Sequence, residues 1–144
     1  HEGARMEQDI RGRLNNLASL LEKIGQRAPL VVREYRGKLK QRIEELMGES
    51  AQLDEGRLEN EVAFFADKAC IDEELVRLDS HFAGMEAMMA DGEPTGRKLD
   101  FLVQELNREI NTIGSKANDG EISKWVVEAK AEIEKIREQV QNIE

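Results

Sequence analysis

Two neighbouring stretches, residues 96–116 (GRKLDFLVQELNREINTIGSK) and residues 120–144 (GEISKWVVEAKAEIEKIREQVQNIE), decide the fold. In the first, Leu99, Leu102, Leu106, Ile110 and Ile113 recur every three or four residues, the spacing of one helical face, with an end expected about Gly114. In the second, Ile122, Val126, Ala129, Ile133, Ile136, Val140 and Ile143 alternate steps of four and three to the end of the chain. That heptad rhythm favours antiparallel coiled-coil packing, most simply against the helix before it. Asn118, Asp119 and Gly120 between them read as a tight connection carrying a cap. At 1.5 Å per residue the last helix is roughly 35 Å long.

The same spacing runs outward through the rest of the chain. Met6, Ile10, Leu14, Leu17, Leu21 and Ile24 form one stripe, and Gly25 followed by Pro29 predicts a break or kink after it. Val32, Tyr35, Leu39, Ile43 and Leu46 form a second stripe, ended by Gly48, and residues 48–56 read as a polar connection. Leu58, Val62, Phe65 and Ala69 make a third. The pattern slips near Cys70, where Asp72 is the expected N-cap of a helix bearing Leu75, Leu78, Phe82, Met85 and Met89. Asp91, Gly92, Glu93 and Pro94 read as a turn. The expected fold is all-α: long antiparallel helices with a carboxy-terminal coiled-coil-like hairpin, forming one helical domain over residues 1–144.

Composition narrows the classes. The chain has 144 residues, 35% of them charged and 4% aromatic, with two prolines, which argues against a β-sandwich or barrel. No apolar run approaches the roughly 18–20 residues needed to cross a bilayer. The first residue is His1 and no signal-peptide pattern follows, so the segment reads as an internal or carboxy-terminal piece of a longer chain. A single cysteine, Cys70, excludes an internal disulfide and a CxxC zinc site, and fits a reducing cytoplasm. The net charge of -9 argues against a generic nucleic-acid-coating protein. Its distribution is uneven: residues 27–48 are net basic, and residues 49–94 strongly acidic.

Three groups of residues could carry chemistry. Arg27, Arg33, Arg36, Lys38, Lys40 and Arg42 form a basic run, in which Arg33, Arg36 and Lys40 share a face that could track a phosphate backbone. Pairing with the acidic segment of the same chain is the plainer explanation. Glu74, Arg77 and His81 lie on one face beside the apolar seam, and His81 is the only interior histidine; it could move a proton or simply sit hydrogen-bonded at the surface. No second histidine at i+4 makes an HExxH site. In the helix near residue 100, Asp100, Gln104, Asn107 and Asn111 share one face, and Glu105, Glu109, Thr112 and Lys116 another. Glu105 and Glu109, one turn apart, could hold a divalent cation. The alternative is an interhelix hydrogen-bond network that fixes register.

The core RKLDFLVQELNREINTIGSK, the ending EIEKIREQVQNIE, the stretch EELVRLDSH and the opening EGARM resemble, in order and over essentially the whole chain, the YicC/YloC family of bacterial proteins. Members were long called stress-induced and are described as cytoplasmic endoribonucleases forming oligomeric rings, reported as hexamers. The resemblance implies the carboxy-terminal helical half of a longer chain, without its amino-terminal domain. It implies cleavage of RNA phosphodiesters, assisted by manganese or magnesium, and no membrane association. The family pattern falls on Glu74, Arg77, His81, Arg97, Asp100, Gln104, Glu105, Asn107, Arg108, Glu109, Asn111, Thr112, Ser115 and Lys116. On this reading His81 with Glu74, Glu105 or Glu109 handles protons or metal. Arg77, Arg97, Arg108 and Lys116 meet the RNA phosphates, and Asp100, Gln104, Asn107, Asn111, Thr112 and Ser115 form a supporting polar network. Cys70 departs from the family, which usually has an aspartate there. The alternatives are a non-catalytic helical module that assembles an oligomer and presents RNA or a partner protein, and a plain coiled-coil adaptor.

Overall fold

The computed structural model describes residues 2–48, 52–91 and 96–143. Five helices follow in order: α1 (Glu2–Met47), α2 (Glu55–Lys68), α3 (Asp72–Ala90), α4 (Gly96–Lys116) and α5 (Gly120–Ile143), with no strand among the described residues. The protein is all-α. Residues 49–51 of the expected polar connection, most of the turn at 91–94 and the side chain of Ile143 lie outside the described residues.

The expected break near Gly25 does not occur, because α1 is one helix of 46 residues with Pro29 inside it. Proline removes one backbone bond and crowds the carbonyl four residues earlier. Here Pro29 is exposed, so the unmade bond faces solvent, while Ile24 and Val31 on either side of it are buried and hold both halves in line. Asp72 is likewise not the cap of α3. Ile71 occupies that position with no side-chain cap bond, and Asp72, Glu73 and Glu74 fill the first turn, where carboxylates oppose the helix dipole. The helix α4 passes Gly114 and ends at Lys116. A Cβ on Gly114 would lie 3.2 Å from Val126, so glycine here permits a close approach of α4 to α5 rather than ending the helix.

Cross-helix pairs fix the directions. Arg13 meets Glu132, and Gln139 reaches Asp9, so α1 and α5 run antiparallel. Arg77 meets Glu109 and Lys116 meets Glu74, so α3 and α4 do too. The hairpin of α4 and α5 closes through Asp119, whose side chain accepts from the Ile122 N–H at 3.1 Å. With α1 also against α3, these four helices alternate in direction around one core. The expected stripes line it: Ile10, Leu14, Leu17 and Ile24 of α1, Leu78 and Met85 of α3, Leu106 and Ile110 of α4, and Ala129 and Ile136 of α5 are all essentially excluded from water.

The second stripe fares differently. The carboxy-terminal half of α1 is covered mainly by α2, through a Tyr35–Phe65 ring stack with centroids 3.8 Å apart and the buried Leu58 and Val62. Val32, Tyr35, Leu39 and Ile43 are only half-buried, and Leu46 is 81% exposed, so the stripe runs past the end of its partner.

Candidate functional site

Along α3 and α4 the antiparallel pairing works like a ladder. Glu74 faces Lys116, Arg77 faces Glu109 one turn on, and His81 then faces Glu105 another turn along. On α3 each step is one turn forward; on α4 the first step, Lys116 to Glu109, is two turns back and the second, Glu109 to Glu105, one turn, and residues at these spacings share a face. His81 sits between the buried Leu78 and Phe82, at the rim of the core. One ligand atom each from His81, Glu105 and Glu109 lies within 4.8 Å of the others. Glu109 is buried, and the Nε2 of His81 is buried without a hydrogen-bond partner. A desolvated, unpaired ring nitrogen costs about 1–3 kcal/mol.

An imidazole nitrogen with two carboxylates is a mixed donor set that suits a divalent cation such as manganese, and magnesium through the oxygens. Arg77 supports the set from outside: its Nε donates to Glu109 at 2.9 Å, and its terminal nitrogens reach Glu73 at 3.4 Å and Glu74 at 3.8 Å. The Glu109 hydrogen bond holds the Arg77 guanidinium above its ordinary pKa.

Glu74 stands apart from this trio. It is only 1% exposed, and Lys116 donates to it at 2.6 Å. Burial pushes its carboxyl up, but the Lys116 hydrogen bond, backed by its own backbone N–H and the charges of Lys116 and Arg77, prevails and leaves it below its ordinary value. The same contact raises the Lys116 ammonium. Lys116 also donates to the Cys70 carbonyl at 3.4 Å, so the exposed Cys70 touches the network through its backbone rather than its thiol.

The alternative of an interhelix hydrogen-bond network is met at Glu109 and Lys116, which bond Arg77 and Glu74 of α3; the hydrogen bonds of Gln104, Thr112 and Ser115 stay within α4. Gln104 donates to Asp100 at 3.0 Å, Thr112 to the Arg108 carbonyl at 3.1 Å, and Ser115 to the Thr112 carbonyl at 2.9 Å. Gln104, Asn107, Asn111 and Ser115 are exposed, Asp100 and Thr112 are half-buried, and the Asp100 charge acts on Arg137 of α5. Arg97 and Arg108 are exposed on the open side of α4, with Arg108 loosely paired to Glu105 at 4.0 Å. In the basic run, Arg36 pairs with Glu59 at 2.6 Å and Lys40 with Glu55 at 4.0 Å, which is the intrachain pairing the charge pattern allowed. Arg27 is committed to Asp119, Glu34 and Glu121.

Residues 24–144 match the family model described as endoribonuclease YicC-like, C-terminal. The chain belongs to that family. It is 48% identical over 143 residues to a probable endoribonuclease YicC of Clostridioides difficile, covering 99% of this chain and 49% of the relative. A protein of the same name from Haemophilus influenzae is 38% identical over the same share of each. The chain thus spans about half the length of the curated relatives it matches. No helix of the described residues is long and apolar enough to cross a membrane.

Two features escaped the sequence reading. Phe101 is 60% exposed on α4, and the signal for it was present: it is a large apolar residue off the Leu99–Leu102–Leu106 stripe. The clamp of Arg27 on Asp119 joins residues 92 apart, a distance over which spacing carries no information.

Proposed function

We propose that this helical unit contributes a divalent-metal-assisted centre for cleaving RNA phosphodiester bonds. The observations that carry the reading are the convergence of His81, Glu105 and Glu109 and, on the same imidazole, a buried Nε2 without a hydrogen-bond partner. The names of the relatives support the reaction class. His81, Glu105 and Glu109 would hold the cation, manganese or magnesium, which supplies Lewis-acid polarisation of a phosphoryl oxygen when bound. Arg77 holds the Glu109 carboxylate in place through its Nε hydrogen bond. Arg108, beside Glu105, and Arg97, two turns before it, are open to solvent and neutralise phosphate charge as it grows in the transition state. Glu74 and Lys116 act from below, anchoring the Arg77 end of the ladder.

The reading places this unit within a longer protein that assembles as an oligomeric ring, and Leu46 and Phe64, exposed on the α1–α2 arm, supply apolar surface for such contacts. A non-catalytic assembly module would use the same arm. Cleavage of a 5′-labelled structured RNA, run with manganese, with magnesium and with chelator, separates the two. Metal-dependent cuts lost in Glu105→Gln and Glu109→Gln are the expected result. Cuts unchanged in both variants would move the chemistry elsewhere, and RNA retention without cutting would favour the assembly module.

A further inference from the structure

The helix α4 does more than present carboxylates to α3. At 100° per residue, Phe101 lies one turn before Glu105 and about 40° around the helix from it, on the side turned away from α3. Arg97 lies one turn before Phe101, and Arg108 lies two turns beyond it on the same strip. All three are exposed, and the Arg108 side chain is 76% exposed. A phenyl ring left in water at 60% exposure, outside the apolar stripe of its own helix, contributes little to the core. Flanked by two guanidinium groups and set beside the imidazole–carboxylate trio, it has the makeup of a single-strand stacking platform: a sequence-tolerant π-face with cations to follow the backbone.

We propose that Phe101, between Arg97 and Arg108, stacks an unpaired nucleobase of RNA next to the His81–Glu105–Glu109 centre, so that this face selects single-stranded segments. A base held in a duplex already has both faces stacked and cannot engage the ring without being extruded, which costs energy. The substrate class that follows is unpaired RNA, in loops, bulges or ends, with little preference for base identity. The proposal deepens the RNA-cleavage reading and rests on it for the class of ligand.

The test separates the two because it needs no cleavage. The full chain is titrated, in chelator, with an oligoribonucleotide carrying a 2-aminopurine reporter, and with the same strand fully paired to its complement. Parent chain, Phe101→Leu and Phe101→Trp are compared. Leucine keeps apolar bulk but has no ring, and the exposed position tolerates it without unfolding. The expected result is about a tenfold loss of single-strand affinity in Phe101→Leu, with loss of reporter quenching, near-parent behaviour of Phe101→Trp, and no change for the duplex. Parent-like single-strand binding by Phe101→Leu overturns the proposal, as does an equal loss on the duplex or no RNA binding by the parent. If the parent binds in this Phe101-dependent way yet cuts nothing with manganese or magnesium, the cleavage reading falls and the platform stands. If Phe101→Leu cuts and binds as the parent does, the platform falls and the cleavage reading stands.

Discussion

Two polar clusters in this molecule have similar ingredients and opposite degrees of completion. At one end of the bundle, Arg27 donates to Asp119 through Nε at 3.2 Å and through a terminal nitrogen at 3.0 Å, while Glu34 accepts from both terminal nitrogens and Glu121 lies 3.3 Å from the same Nε. Asp119 spends an oxygen on capping α5 as well. Every group there has a partner, and the cluster ties α1 to the α4–α5 turn. On the α3–α4 face, His81, Glu105 and Glu109 draw together with a buried ring nitrogen left unpartnered. Saturated charge fixes a fold; on the α3–α4 face Glu74 Oε2 and His81 Nε2 are both buried without a partner, and on the proposed reading the His81 set is the one completed by a cation.

The strongest way to break that contrast is His81→Leu. If the trio is an incomplete ligand set, the variant loses about 100-fold or more of metal-dependent cleavage. Its melting temperature should hold or rise, because an unpaired buried nitrogen has been replaced by a hydrocarbon of similar bulk. Labelled-RNA cleavage alongside a thermal melt reads both. A variant that melts much earlier than the parent would make His81 a structural residue, and the comparison would collapse.

A smaller effect probes the network between the clusters. Lys116→Met strips the nearest cation from the buried Glu74 and should lower the urea midpoint, by less than breaking a fully buried pair would because Lys116 is partly exposed and Arg77 remains 3.8 Å away. Adding Glu74→Gln removes the stranded charge, so the double variant should recover most of the loss in urea unfolding. A double variant no better than the single would show that Glu74 is stabilised by something other than Lys116.

The two regions also differ in how far they could be read from sequence. The stripes from Leu99 to Ile113 and from Ile122 to Val140 were legible because burial along a helix writes itself into spacing, and the structure buries every residue named in them. The same rule overreached at Leu46, where periodicity continues past the end of the covering helix. Pro29 misled in the other direction, since a local preference worth about 3 kcal/mol was overridden by packing on both sides of it. Within the site, the face shared by Arg77 and His81 and the i, i+4 pair Glu105 and Glu109 were visible one helix at a time. Their register across the α3–α4 interface was not, so sequence could not separate Glu74, tied to Lys116, from Glu109, which meets His81.

The smallest effect belongs to the saturated cluster, and it is the sharpest control on the larger ones. Asparagine caps a helix about as well as aspartate, so Asp119→Asn keeps the bond to the Ile122 N–H through its remaining oxygen and removes both the charge facing Arg27 and the oxygen that accepts from its terminal nitrogen. With Glu34 and Glu121 still on Arg27, the loss should be about 1 kcal/mol, and Asp119→Ala should lose about 1 kcal/mol more as the cap goes. The Arg27 hydrogen bonds outweigh burial and hold the Asp119 carboxyl below its ordinary value. A carboxyl depressed in the folded state contributes its full stability above the unfolded value, about pH 4, and loses it as pH falls through the lower folded value. The gap between parent and Asp119→Asn in urea unfolding should therefore stay constant from neutral pH down to about 5, and close on further acidification. Cleavage should be unchanged in both variants at every pH where they remain folded. A gap that widened in acid, or cleavage that fell with the charge at residue 119, would mean that the closed cluster takes part in the chemistry of the open one.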